Sequence, residues 1–461
     1  MKMKRYIAES LIQYVSEEKY PWHMPGHKRK SLWENGSGIQ EMLKQAMQYD
    51  VTEVPGTDDL FCPTACIKES MNELRGVYGT AKSYYVVNGS TGAILTAIAA
   101  CAKQNDVILV ARNCHKSVYN AVQMLGLRPV YIEPENLYTD EVHPKLAGPV
   151  TVSHIRDAVA KLQRDENATK ICAMVLTSPS YEGIVSDIAG IAEYLHKQDI
   201  KLIVDEAHGA HLPFICELPD SAVSLGADLV VQSLHKTMAA LTQTALLHVC
   251  DASLIEVVER WMQVFMSSSP SYIFLCSMEE AVARACKTDT SSYIENLRGA
   301  RSKIKELSSI HLLEVSGVLA QARGCLDETR LVLWKNHADG TRVSGMQFLR
   351  LLEEQGNIVV EMAGADYVVL ISTMEDTKED FIHLCDVLEM LDSMECGSYY
   401  DDTEDSEERF RQLIGKQAVD NIYVYPPGSY LITPGEVFTK EIVEQLIAYK
   451  QAGKAIRGKL L

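Results

Sequence analysis

Leu202-Ile203-Val204-Asp205-Glu206-Ala207-His208-Gly209 is the stretch on which the fold turns. Three apolar residues run without polar alternation into an acid and then into small residues. Such a run reads as a strand buried on both faces. Ligands of buried parallel sheets gather at the carboxyl ends of strands, where this acid sits. The same kind of run recurs on either side: Tyr84–Val87, Val107–Val110 and Met174–Thr177 before it, Leu229–Gln232 after it. Between Met174–Thr177 and Leu202–Asp205, the residues Ile188, Ile191, Ala192 and Leu195 follow helical spacing. Strands separated by helices predict a mainly parallel sheet covered on both faces, an α/β fold.

A second α/β pattern extends from about 290 to 395, with strands at Leu331–Trp334 and Tyr367–Ser372 around a helix bearing Met346, Leu349 and Leu352. An acidic run from Asp401 to Glu408 reads as an exposed linker or helix start, and the tail holds two turns, Pro426-Pro427-Gly428 and Pro434-Gly435-Glu436. The expected organisation is an N-terminal segment (1–50), a large domain (51–285), a smaller α/β domain (286–395) and a C-terminal subdomain (396–461).

Composition narrows the function classes. The chain has 461 residues, 47% hydrophobic and 23% charged, as in ordinary globular enzymes. A net charge of -18 argues against nucleic-acid or anionic-membrane partners and is compatible with a cationic ligand. Twelve cysteines lack C-x-x-C or metal-ligand spacing, so free thiols in a reducing cytoplasm and no metal site are expected. The start, MKMKRYIAESLIQY, has no apolar core of a secretion signal. The longest apolar stretch, Ala93 to Ala102, is roughly half a membrane span.

The strongest chemical signal is Ser233-Leu234-His235-Lys236-Thr237, directly after a buried strand. A lysine there is costly to bury as a cation, and condensation with an aldehyde cofactor removes that cost. Pyridoxal phosphate (PLP) is such a cofactor. It works as an electron sink while its pyridine nitrogen is protonated, and a fixed carboxylate such as Asp205 keeps it so. Ala207 is small enough to lie against a ring, and His208 is placed to bond a ring oxygen. The rival reading of Asp205 as a magnesium ligand needs a G-x-x-x-x-G-K-[ST] loop, which is absent. Asn88-Gly89-Ser90-Thr91-Gly92 opens an apolar helix with hydroxyls and backbone N–H groups, a cradle for the cofactor phosphate. His115 follows the next strand, where an imidazole can stack on the pyridine ring. Ser178, in Thr177-Ser178-Pro179-Ser180-Tyr181-Glu182-Gly183, can reach the phenolic oxygen.

With these residues in view, the chain resembles the ornithine/lysine/arginine decarboxylases of the aspartate-aminotransferase fold (PLP-dependent fold type I). The resemblance extends over nearly the whole chain. It includes His23-Met24-Pro25-Gly26-His27-Lys28, the run Asp50-Val51-Thr52-Glu53-Val54-Pro55-Gly56-Thr57-Asp58-Asp59-Leu60, the Asp205 and Lys236 motifs, and the two C-terminal turns. The resemblance implies a Schiff base on Lys236, Asp205 at the ring nitrogen, and His115 stacked on the ring. It places Gly89, Ser90, Thr91, Ser233 and His235 about the phosphate. Ser267-Ser268-Ser269-Pro270-Ser271-Tyr272 resembles a segment that reaches a neighbouring subunit's phosphate, through Ser268, so a homodimer with interfacial sites is implied. His235 and Lys236 are the candidate proton donors.

The implied reaction is decarboxylation of arginine, lysine or ornithine. Glu53, Asp58, Asp59 and Glu436 are the candidate receptors for the basic end of the substrate. Two departures bear on substrate identity. Ser429-Tyr430 replaces an expected Ile-Pro, and Thr64-Ala65-Cys66 stands where a Glu-Gly pair is expected. The competing readings are an aminotransferase or acyl-transferring synthase on the same fold, and a non-catalytic PLP-binding protein.

Overall fold

The computed structural model describes residues 3–17, 19–30, 38–138, 143–164, 170–315, 317–394, 407, 410–425, 429–451 and 455–459. The acidic run, apart from Glu407, and the turn at Pro426-Pro427-Gly428 lie outside them.

The large sheet is built from β1 (Lys82–Val86), β2 (Val107–Ala111), β3 (Arg128–Ile132), β4 (Ile171–Thr177), β6 (Lys201–Asp205), β7 (Leu229–Ser233) and β8 (Ala245–Val249). The short β5 (Ile184–Val185) lies outside it. The order is β1-β8-β7-β6-β4-β2-β3. Neighbours from β3 to β7 are parallel, and β8 runs antiparallel to both β7 and β1. Strands β2, β7 and β8 are buried at every position; β2 is apolar throughout, and the two buried polar side chains Gln232 of β7 and His248 of β8 bond each other at 3.1 Å. The five strands expected from the sequence all form. Sequence reading missed β3, a partly exposed edge strand with Pro129 near its start, and β8, the one antiparallel member.

The helix Gly89–Cys101 runs beneath the sheet and packs on the helix Ile255–Phe265. It is apolar all round, with Ala93, Ile94, Ala97 and Ile98 each fully buried. Each such isoleucine contributes about 1.5–3 kcal/mol relative to exposure. The N-terminal helix Tyr6–Ser16 joins the same core through Ile7, Leu11 and Tyr14. Glu279 anchors it by accepting the Ile7 and Ala8 N–H groups at 3.1 and 2.9 Å.

Strand order reverses at β2: β3 lies on one side of it and β4 on the other. A crevice opens at the carboxyl ends of strands at such a reversal. The residues after β1, β2, β4, β6 and β7 therefore emerge at one edge of the sheet.

A second, antiparallel sheet has the order β12-β13-β11-β9. It comprises β9 (Ile310–Leu312), β11 (Arg330–Lys335), β12 (Met362–Ala363) and β13 (Val368–Ile371). The expected helix forms over Gly345–Gly356. The two-residue β10 (Cys325–Leu326) pairs with β5 and ties this sheet to the loop that follows β4. Beyond it, β14 (Ile422–Tyr425), β15 (Ser429–Ile432), β16 (Ala455–Arg457) and the helix Lys440–Gln451 enclose a small core of Ile422, Ile432, Phe438, Val443 and Leu446. Among the described residues no helix is long and apolar enough to cross a membrane.

Candidate active site

Register brings the chemical residues together. Thr177 pairs with Asp205, and Asp205 with Val231, two positions before the end of β7. The turn after β7 carries Lys236 on the short helix Leu234–Thr237. Lys236 Nζ stands 3.0 Å from His208 Nε2, three residues beyond Asp205. Burial depresses the Lys236 pKa, opposed by the negative charge of Asp205 and assisted by Arg330. The amine is thus moved towards its neutral, nucleophilic form. Asp205 is only 3% exposed, and burial raises its pKa against the field of Lys236. Its carboxylate accepts the Ala207 N–H at 3.2 Å.

His115 precedes the helix Lys116–Leu125 and caps it, its Nδ1 accepting the Ser117 N–H at 3.2 Å. That bond leaves the proton of the neutral ring on Nε2. Burial, then the charges of Lys236 and Lys116, push the His115 pKa down to about 4. His208 is pushed well below the ordinary histidine value by burial and by Lys236. His235 Nδ1 donates to the Thr244 carbonyl at 2.9 Å, and burial lowers its pKa also.

Gly89, Ser90 and Thr91 form the first turn of their helix, and Asn88 before them makes no side-chain cap. The N–H groups of that turn have no partner inside the helix, which leaves an anion cradle. Gly89 adopts φ +70°, a conformation that suits glycine in this tight entry. Ser178 is buried. Its N–H donates to the Asp205 carbonyl at 3.1 Å, and its Oγ accepts the Ser186 N–H at 3.1 Å. Ser268 is exposed. Its neighbour Ser267 donates its N–H to Asn88 Oδ1 at 3.1 Å, beside the cradle.

The edge also holds buried polar atoms with no partner among the described residues: Thr177 Oγ1, His208 Nδ1, Ser233 Oγ, Thr237 Oγ1 and Asn113 Oδ1. Leaving such groups unpaired costs about 1–3 kcal/mol each. They lie at the strand ends and turns around Lys236 and Asp205, and they suit a ligand that carries oxygens and a ring nitrogen. The donor set therefore fits PLP.

Two of the acids singled out as substrate receptors are otherwise engaged. Asp58 is buried and accepts the N–H groups of Asp59, Thr64, Ala65, Ile67 and Lys68 at 2.8–3.4 Å. It fastens the start of the helix Cys66–Tyr78, and the Thr64-Ala65-Cys66 departure supplies backbone to it. Glu436 forms a two-pronged ion pair with Arg112 and accepts the Thr433 N–H at 2.8 Å, locking the C-terminal unit to the end of β2. In both, the lone pairs of the carboxylate are engaged by the protein itself. Glu53 is exposed, and Asp59 accepts the Phe61 N–H at 2.8 Å. The other departure, Tyr430, stacks on Tyr119 at 4.2 Å and joins the main core.

No role was assigned to Arg330 from the sequence. It opens β11, is fully buried, and donates Nη2 to the His208 carbonyl at 2.8 Å. Gly183 makes room for it: a Cβ there would lie 2.8 Å from Arg330 Cγ. The signal was a charged residue at the head of an apolar strand. Tyr181 was quoted only as part of a turn, yet its ring lies 4.5 Å from that of His208.

Residues 7–337 match the family described as Orn/Lys/Arg decarboxylase, major domain. The chain belongs to the ornithine/lysine/arginine decarboxylase family. It is similar to an arginine decarboxylase of Bacillus anthracis, with 26% identity covering 97% of this chain and 94% of the relative. Among solved structures, it superposes on a lysine decarboxylase of Francisella novicida with a TM-score of 0.81, 19% identity, and coverage of 99% of this chain and 79% of that one. A serine palmitoyltransferase of Sphingomonas wittichii shares the fold more distantly, with a TM-score of 0.54, 14% identity and 84% coverage of each chain. The fold is thus PLP-dependent fold type I, and family membership makes this decarboxylase a lyase acting on a basic amino acid.

Proposed function

We propose that this decarboxylase converts arginine to its amine and carbon dioxide, using pyridoxal phosphate held by Lys236. The observation that carries the reading is the partly buried Lys236 amine, 3.0 Å from His208 and in the field of Asp205. The choice of arginine rests on the full-length Bacillus relative. When bound, PLP supplies a conjugated cationic ring that accepts the electron pair released with carbon dioxide.

The chain's residues do the rest. Lys236, eased towards neutrality by burial, would hold the cofactor through its amine until a substrate amine takes its place. Asp205 would hold the proton on the ring nitrogen, an electrostatic preorganisation that needs no rearrangement during reaction. Neutral His115 would cover the ring face, and His208, 3.0 Å from the Lys236 amine, would orient it and the ring oxygen. The first-turn N–H groups of Gly89, Ser90 and Thr91, with Ser233 and His235, would hold the phosphate, and Ser178 would serve the phenolic oxygen. Ser268 would serve the phosphate across a subunit interface. The site must present the Cα–carboxylate bond across the plane of the ring, and that orientation selects decarboxylation over transamination. Lys236, taking up the proton that the substrate ammonium gives up on binding, would then return it to Cα, for which a lowered pKa suits it.

We further assign a homodimer working in a reducing cytoplasm. Tyr20, Trp22 and Met24 are 84%, 93% and 68% exposed in one stretch, an apolar surface suited to a second copy. The described cysteines are free thiols. Sedimentation equilibrium tests the dimer. For the reaction, purified enzyme is offered arginine, lysine and ornithine while carbon dioxide, amine and keto acid are measured. Amine and carbon dioxide in equal amounts, greatest with arginine and abolished by Lys236→Ala, are expected. Keto acid without carbon dioxide would refute the reaction.

A further inference from the structure

A basic substrate presents a second cation some way from its reacting carbon, and a site selective for it needs a carboxylate with lone pairs to spare. Asp58 and Glu436 have none to offer, as described above. After Asp205, Glu361 is a carboxylate whose charge acts on the Lys236 amine. Glu361 immediately precedes β12, at the edge of the antiparallel sheet, and is exposed. It lies outside residues 7–337, the region matched to the family.

Contacts connect it to the site in three steps. Lys236 Nζ stands 3.0 Å from His208 Nε2. The His208 ring lies 4.5 Å from the Tyr181 ring, tilted by 55°. The Tyr181 hydroxyl donates to Glu361 Oε1. Oε2 of Glu361 accepts no hydrogen bond among the described residues. The nearby Glu182 differs: Tyr367 donates to its Oε1 at 3.0 Å and Ser180 to its Oε2 at 3.1 Å.

We propose that Glu361 receives the distal cation of the substrate, with Tyr181 as the positioning residue that aims its carboxylate and offers a ring face to the same cation. The assignment deepens the decarboxylase reading and rests on it. Chemically, a carboxylate beside an aromatic face suits a guanidinium, which can bond both oxygens as a planar fork and stack on the ring. The exposure of Glu361 leaves room for the ligand. The tie to Tyr181 keeps the carboxylate from swinging into solvent, so less order is lost on binding.

The test uses the full chain loaded with cofactor and two variants, Glu361→Gln and Tyr181→Phe. Calorimetry measures the binding of agmatine, which carries the distal guanidinium, and of propylamine, which has an amine and no second cation. Steady-state assays give KM and kcat for arginine. Glu361→Gln should weaken agmatine roughly 10- to 100-fold and raise KM for arginine similarly, the worth of one charge-assisted hydrogen-bond pair. Propylamine binding and kcat should change far less. Tyr181→Phe should show the same pattern at about 3-fold, the worth of a positioning hydrogen bond. Agmatine binding unchanged in Glu361→Gln, or propylamine weakened as much as agmatine, overturns the assignment. Failure of the unaltered enzyme to release carbon dioxide would instead strike the decarboxylase reading. Agmatine binding would still decide the role of Glu361, because it needs no turnover.

Discussion

Replacing Asp205 with asparagine changes one charge and almost no volume, and its consequences with and without cofactor have opposite signs. The side chain is 3% exposed, and the Ala207 N–H at 3.2 Å is a bond that asparagine can keep through its carbonyl oxygen. What is lost is the negative charge facing Lys236 and, in the loaded enzyme, the ring nitrogen. Removing one partner of a buried charge pair costs about 3–5 kcal/mol. If that cost falls on the transition state, kcat drops roughly 150- to 5,000-fold. In cofactor-free protein the sign reverses. Burial, though opposed by Lys236, raises the Asp205 pKa above its unfolded value. Such a group stabilises fully below the unfolded pKa, and its contribution is lost as pH rises through the folded one. At neutral pH the ionised carboxylate is therefore a burden that asparagine relieves. Cofactor-free Asp205→Asn should melt no lower than the unaltered protein, yet gain less stability when PLP is added. Carbon dioxide release measures the first effect, and thermal melts with and without PLP the second. A fall in kcat under about 10-fold, far below the range just derived, together with an undiminished gain on adding PLP, would refute the placement of Asp205 at the ring nitrogen.

Asp58→Asn should destabilise the protein by about 1.5–3 kcal/mol in denaturant titrations and leave KM unchanged; a raised KM at unchanged stability would return Asp58 to the substrate. Although burial opposes it, the surrounding N–H groups hold the Asp58 pKa below normal, so its contribution is present above the unfolded pKa and lost as pH falls through the lowered value. Burial takes His248 down to about 3 and, with Lys236, His115 down to about 4. Each contributes stability that is present above about pH 6.5 and falls by about 1.4 kcal/mol per pH unit below it, towards the folded pKa. His248→Gln should flatten that acid slope, and an unaltered slope would refute the assignment. Gly183→Ala at φ +89° pushes a methyl group against Arg330; a loss of about 1–3 kcal/mol from overpacking and a lower kcat are expected, and full activity with unchanged stability would show that Arg330 has room to move.

Much of the fold was legible because parallel strands buried on both faces are mostly apolar, so an acid or lysine at their carboxyl ends stands out. Asp205 and Lys236 announce themselves in this way, and covalent chemistry narrows their roles further. Strand β3 escaped notice because an edge strand can be polar, and β8 because antiparallel pairing leaves no mark on a fully buried strand. The substrate acids were another matter. A carboxylate in a motif looks the same whether its lone pairs are free or used by backbone. Only the folded chain shows that Asp58 caps a helix and that Glu436 is claimed by Arg112.

The sequence by itself determined the α/β order, the sheet edge at which loops gather, and the lysine and acid that stand at that edge. These follow from local apolar patterning and from the cost of burying charge. Tertiary structure alone decided which charged groups remain available. Pairing of β5 with β10 brings Arg330 against the His208 turn, and the antiparallel sheet carries Glu361 to Tyr181. Contacts between residues so distant in sequence depend on how whole sheets pack, and no local pattern encodes them.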